Sequence, residues 1–259
     1  ESDWPNAHHQ TQGRTTLTLN KHDSLSLRHR FHPTDALIPQ LENLTASVIR
    51  SFDGEVSSIP GILKLTLGEP DFDTPDFIKD AAVDSLARNR THYAPNAGTP
   101  ELRQAISDYL ARRRSLDFPA DDIVVTEGAS EAISSVLTAL LHPGAALLYA
   151  TPGFGLYRSM ATLTGAEPIE IDTTDTDFKL TPGTLEHALR AVEGRDAVLV
   201  INSPNNPTGV TLDSAQLQAL AEVIERHDVT VLSDEVYAEI SYCLLYTFSE
   251  PTRLRRISY

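Results

Sequence analysis

Cysteine is almost missing from this chain: Cys243 is the single one among 259 residues. That excludes an intramolecular disulfide and the clustered Cys/His spacing of a zinc site, and it fits a reducing cytoplasm. Positive charge is scarce as well. Lys and Arg total 21 against 36 Asp and Glu, a formal net charge of -15, which argues against broad electrostatic attraction to nucleic acid or to an acidic membrane. No apolar run reaches 18 residues, and the opening "ESDWPNAHHQTQG" is polar without an apolar signal region, so neither a membrane span nor a signal peptide is expected. What remains is ordinary globular composition, 41% hydrophobic and 22% charged, in a length that suits one large α/β domain or two small ones.

Residues 1–30 mix His, Thr, Asn and Arg without a period and read as an arm or unrelated upstream segment. From Glu42, "ENLTASVIRSFDGEV" carries Leu44, Val48, Ile49, Phe52 and Val56 at helical spacing. Thr74-Pro75-Asp76 and Thr99-Pro100-Glu101 each have the form of a helix start: a capping hydroxyl, a proline at the first position, and acid in the first turn. Element types then alternate. "DIVVTEG", "AALLYATP", "EPIEIDT", "AVLVIN" and "DVTVLSDEVY" read as strands. Between them, "SEAISSVLTALL", "FGLYRSMATLTG", the stretch from Thr181-Pro182 to about Val192, and a helix capped by Asp213 with Gln216 read as helices. The pattern predicts an α/β fold, a mostly parallel sheet covered on both faces, with its ligand site in the loops after the strand ends.

Four of those loops carry chemistry-bearing residues: "TEGASEA", "ATPGFGLY", "SPNNPTG" and "SDEVY". Singly, each also reads as a Gly/Pro turn, a core aromatic or a strand end with solvated acids. Neither GxGxxG after a strand nor GxxxxGK[ST] occurs, which ranks a nucleotide-binding domain low.

Taken in order, "KLTLGEPDFDTP", "HYAPNAGTPELRQAI", "TEGASEAI", "SPNNPTGV" and "SDEVY" resemble the class I/II aminotransferases, pyridoxal-phosphate enzymes of fold type I, from about Phe31 to Tyr242. "VSSIPGILKLTLGEPDF" is similar to their aromatic amino acid and N-acetyl-diaminopimelate branch. The resemblance implies the three-layer α/β/α large domain of that fold over residues 31–242, with the C-terminal small domain missing and residues 243–259 a tail outside the family. It implies pyridoxal 5'-phosphate as cofactor, an amino acid and a 2-oxo acid as substrates, and a homodimer in the full-length form, beside the cytoplasmic setting and the absence of metal, nucleic acid and membrane partners expected from composition.

Residue by residue, the resemblance places the backbone of Ala129 and Ser130 on the phosphate, where a helix N-terminus favours an anion. Ser130 also reads as the helix N-cap. Phe154 would stack on the pyridine ring, with a core phenylalanine as its other reading. Asn206 and Tyr237 would donate to the phenolic oxygen, and Asp234 would hold the ring nitrogen in its protonated form, the better electron sink. Gly68 would let the backbone approach the substrate carboxylate, where a side chain would collide. Tyr93 would reach a partner's phosphate across a dimer interface. Asn202 reads as a strand-end hydrogen-bonder, Glu131 as pointing away from the phosphate and Glu235 as facing away.

The pattern departs from the family at its covalent anchor. Lys21, Lys64, Lys79 and Lys179 are the only lysines, all upstream of "SDEVY", whereas the resemblance calls for one downstream in Ser-x-Ser-Lys, followed by two arginines. No catalytic lysine is therefore assigned, and Arg253, Arg255 and Arg256 are not mapped onto the missing arginines. The chain reads as an incomplete aminotransferase, inactive alone. A β-lyase of the same fold and a non-catalytic relic or effector-binding domain stay open beside it.

Overall fold

The computed structural model describes residues 38–44, 48–68, 72–241 and 256–258. The chain divides into two units, Glu1–Pro39 and Gln40–Tyr259, and the described residues fall almost wholly in the second. The expectations for residues 1–30, and most of those for 243–259, lie outside the described residues.

Seven helices run through the described residues: α1 Val48–Val56, α2 Asp76–Ala87, α3 Pro100–Arg114, α4 Ala129–Leu140, α5 Gly155–Thr164, α6 Pro182–Ala191 and α7 Ser214–Ile224. The strands are β1 Ala146–Thr151, β2 Glu167–Asp172, β3 Ala197–Asn202, β4 Thr230–Asp234 and a short β5 Arg256–Ser258. They form one sheet in the order β2-β1-β3-β4-β5, every pair parallel.

The period-2 geometry of a strand explains how two cores arise from one sheet. Leu147, Tyr149, Val198, Val200 and Leu232 point to one face, where Ile133 and Leu137 of α4 and Tyr157, Met160 and Ala161 of α5 cover them. Their neighbours Ala146, Leu148, Leu199, Ile201 and Val231 point to the other, under Leu185 and Leu189 of α6 and Leu217, Leu220 and Ile224 of α7. This is the three-layer α/β/α arrangement the sequence predicts. Leu148, Leu199 and Leu232 are wholly buried, each such side chain stabilising the fold by roughly 1.5–3 kcal/mol relative to exposure.

Local signals set several boundaries. The Thr99 hydroxyl accepts from the Leu102 amide at 3.3 Å with Pro100 opening α3. Asp213 and Gln216 form a reciprocal capping box on α7, and Thr181 forms one with Thr184 on α6. Two expectations are corrected. Pro75, rather than Thr74, occupies the position before α2, and no side chain caps that helix. The stretch 122–128 is not a strand: Asp122 ends a short 3-10 turn, residues 123–126 carry no regular element, and residues 127–128 bend into α4. The bonds of this stretch go instead to loop and side chain: the Val125 amide donates to the Ala97 carbonyl at 3.0 Å, and Arg103 Nε donates to the Ile123 carbonyl at 2.8 Å. A β-branched run supplies strand propensity, but a ladder needs a neighbouring strand in register, which local sequence does not report.

Candidate active site

The chain leaves β1 toward β2 and returns to add β3 on the other side of β1. Such a reversal opens a crevice at the carboxyl ends of the strands, because the loops there diverge to opposite faces. Thr151, Asn202 and Asp234 are the last residues of β1, β3 and β4, and Asn202 stands directly beside Asp234 in the sheet register. A cavity of about 210 Å³ opens beyond them, lined by Gly128, Ala129, Ser130, Ile133, Phe154, Asn206, Asp234, Val236 and Tyr237.

Asn202 binds the ends of two strands and a loop together. Its Nδ2 donates to the Asp234 carbonyl at 3.1 Å, and its Oδ1 accepts from the Asn206 amide at 2.7 Å. The turn after it is closed by the Gly209 amide on the Asn205 carbonyl at 2.8 Å and the Asn205 amide on the Val210 carbonyl at 2.9 Å. Gly209 has φ +71°, a conformation that L side chains rarely adopt. Asn205 Oδ1 accepts from the Thr208 hydroxyl at 2.9 Å, so Asn205 serves the loop and Asn206 is left to face the cavity. Asn206 Nδ2 lies 3.2 Å from the Tyr237 hydroxyl and donates to it. Two side chains 31 residues apart thus form one polar edge.

Asp234 is 3% exposed. A carboxylate so placed is costly unless its oxygens find donors. Oδ1 accepts from the Val236 amide at 3.2 Å and Oδ2 from the Tyr157 hydroxyl at 2.5 Å. Burial, and then the Asp234 carboxylate, push the Tyr157 hydroxyl far above the usual phenol range, so it stays a proton donor at every physiological pH. The Phe154 ring meets Tyr157 edge-on, with centroids 5.8 Å apart and planes at 86°.

At the opposite end α4 begins. Gly128, at φ +78°, precedes its first turn and no side-chain oxygen caps it, so the amides of that turn face the cavity without an internal acceptor from a cap. The N-cap role read for Ser130 therefore falls to Gly128, and Ser130 sits inside the first turn. Glu131 bends back, its Oε2 accepting from the Glu127 amide at 2.5 Å.

Six of the residues expected to touch the cofactor, Ala129, Ser130, Phe154, Asn206, Asp234 and Tyr237, thus line one hollow. Two others do not. Tyr93 is fully exposed outside it. Gly68, expected against the substrate carboxylate rather than the cofactor, also lies outside the lining, and a Cβ built there meets no atom of the chain within 4 Å. Tyr157, which lies within the stretch "FGLYRSMATLTG" expected to be a helix, is a site residue that the motif reading does not include. Its signal was there: it lies three residues after Phe154, on the same helical face, and a strand-end aspartate pointing inward must find a donor.

Among the described residues, no group of three or more His, Cys, Asp or Glu is placed to hold a metal, and no helix is long and apolar enough to cross a membrane. Lys64, Lys79 and Lys179 all lie away from the cavity lining.

A family profile described as aminotransferase class I and II matches residues 60–250. The chain belongs to that family, whose members depend on pyridoxal phosphate. It is 38% identical over 207 residues to a probable N-acetyl-LL-diaminopimelate aminotransferase of Bacillus subtilis, covering 80% of this chain and 52% of that protein. Against aromatic-amino-acid aminotransferase 2 of Thermococcus litoralis it is 36% identical over 209 residues, 80% of this chain and 53% of the other. The solved structure of N-succinyldiaminopimelate aminotransferase from Mycobacterium tuberculosis superposes with a TM-score of 0.78 at 30% identity, covering 86% of this chain and 59% of that one. The chain spans about half the length of the curated relatives it matches.

Proposed function

We propose that this chain is the cofactor-holding part of a pyridoxal-phosphate aminotransferase, moving an amino group between an amino acid and a 2-oxo acid. The observation that carries the reading is the shared hollow of Asp234, Asn206, Tyr237, Phe154 and the start of α4. Its donor set suits the cofactor part by part. The amides of Ala129 and Ser130 suit the phosphate dianion, because unpaired N–H groups and the helix dipole both favour negative charge there. Asn206 Nδ2 and the Tyr237 hydroxyl supply two donors for the phenolic oxygen. The buried Asp234 carboxylate, fixed by Tyr157, would hold the ring nitrogen and favour its protonated form. Phe154 offers an aromatic face to the ring. When bound, the cofactor supplies an electron sink for bonds broken at the amino acid α-carbon; the chain's own residues bind it, orient it and hold a proton on its nitrogen.

Gly68 is proposed to lie along the substrate carboxylate and Tyr93 to act in a homodimer, where its full exposure leaves it free to reach a partner. A single cysteine supports a cytoplasmic setting for the protein. Because none of the described lysines lines the hollow, these 259 residues are proposed to bind the cofactor non-covalently and not to transaminate by themselves.

An absorbance titration with pyridoxal phosphate tests this reading. Saturable binding is expected, weakened roughly tenfold or more in Asp234→Ala, since hydrogen bonds to charged groups carry about 1.5–3 kcal/mol. Borohydride treatment should leave no adduct on Lys64, Lys79 or Lys179. Absence of saturation, or binding indifferent to Asp234, would overturn the assignment.

A further inference from the structure

The turn that carries Tyr237 leaves the sheet after Asp234, and its own backbone bonds are short-range. The Ala238 amide donates to the Glu235 carbonyl at 2.9 Å and the Ile240 amide to the Tyr237 carbonyl at 3.2 Å. Tyr237 is only partly buried, and Asn206 Nδ2 donates to its hydroxyl at 3.2 Å. Two residues later, Glu239 reaches a different part of the fold. Its Oε1 accepts from the Tyr109 hydroxyl at 2.5 Å and from Arg114 at 2.8 Å, both side chains belonging to α3, more than a hundred residues back in sequence. Arg114 is held close, its side chain only 15% exposed. A carboxylate that takes a neutral and a charged donor on one oxygen is fixed in direction more firmly than an ordinary surface pair.

We infer that Glu239 is a positioning residue: by tying the 235–240 turn to Tyr109 and Arg114 it holds the Tyr237 hydroxyl over the hollow, beside Asn206. The geometry supports this in two ways. Tyr237 and Glu239 belong to one tight turn, so a rotation that frees Glu239 carries the tyrosine ring with it. The tie also reaches to a helix outside both sheet-covering layers, so losing it leaves the main cores intact. The Tyr109 hydroxyl holds the Glu239 carboxyl below its ordinary range, in keeping with the contact.

The inference rests on the pyridoxal-phosphate reading above. Its test uses the whole chain and four variants: Glu239→Ala, Glu239→Gln, Tyr237→Phe and the double Glu239→Ala/Tyr237→Phe. Pyridoxal-phosphate affinity is read by absorbance, and amide exchange at residues 236–240 is read without cofactor. Glu239→Ala is expected to weaken binding about fivefold, the size of one ordinary hydrogen bond, and to match Tyr237→Phe. The double variant should lose no more than Tyr237→Phe alone, because the two changes remove one and the same contact. Glu239→Gln keeps an acceptor oxygen and should restore most of the affinity, while exchange at the turn should quicken in Glu239→Ala only. A purely structural role would give additive losses and no rescue, and either result overturns the inference. So does unchanged affinity in Glu239→Ala while the unaltered chain binds, which leaves the function standing. Failure of the unaltered chain to bind at all removes the proposed function, and this inference with it.

Discussion

Replacing Tyr157 by phenylalanine isolates the contact on which Asp234 depends. The ring keeps its volume and its neighbours, Phe154 edge-on at 5.8 Å and Tyr149 tilted at the same centroid distance. Only the hydroxyl goes, and with it a 2.5 Å bond to a carboxylate 3% exposed. Two terms compete. Removing the phenol relieves the cost of having buried it, and losing the bond leaves a carboxylate oxygen short of a donor. Hydrogen bonds to charged groups contribute about 1.5–3 kcal/mol net, so the second term wins. The neighbouring 210 Å³ cavity admits water to the vacated oxygen, which moves the expectation to the lower end, about 1.5 kcal/mol. For a chain of this size that lowers Tm by roughly 3–6 °C. Thermal and urea unfolding of Tyr157→Phe, Asp234→Asn and the double variant would measure it, with the pair coupling by about 1 kcal/mol or more. A Tyr157→Phe protein within about 0.5 kcal/mol of the original, or strictly additive losses, would refute the claim that Tyr157 is what makes the buried charge tolerable.

Two glycines at positive φ separate strain from crowding. Gly128, φ +78° and ψ 171°, has open space where a Cβ would go, so Gly128→Ala should cost only the backbone term, about 1–3 kcal/mol. At Gly98, φ +97°, a Cβ would stand 2.6 Å from Val125 Cγ2, so Gly98→Ala should cost that term plus overpacking, roughly 2–6 kcal/mol in total; equal losses in urea unfolding would reject the steric part. His142 gives a pH test: the Pro143 carbonyl first, then Asp196, raise its pKa above the ordinary value. A raised folded pKa means that its contribution to stability is complete below the unfolded value and disappears as pH climbs through the folded one. An NMR titration should place His142 above about 6.5, with Asp196→Asn bringing it down; an unshifted ring in the unaltered chain would contradict the 2.9 Å contact.

The layers were legible because hydrophobic periodicity is local and redundant. Alternate residues of "AALLYATP" and "AVLVIN" divide between two cores, and helix faces such as Leu217, Leu220 and Ile224 repeat at helical spacing. Capping was legible where the capping side chain lies within three residues of its target, as with Thr99, Thr181 and Asp213. The stretch 122–128 was misread because a strand is defined by its neighbour, and the residues bonded to it, Ala97 and Arg103, lie outside it in sequence. Of the candidate site, the loop residues Asn206, Asp234 and Tyr237 were readable as a motif, yet the donor that makes Asp234 tolerable was not.

By itself the sequence determined the alternation of strands and helices, the two-sided burial of the sheet and the family to which the chain belongs, since each rests on patterns that neighbouring residues carry. Tertiary structure alone decided that Asn202 stands beside Asp234, that Tyr157 supplies the proton for its buried oxygen, and that Glu239 is held by α3. Those pairings join residues dozens to more than a hundred positions apart, and short-range forces between such groups act only once the strand order has brought them within a few ångströms.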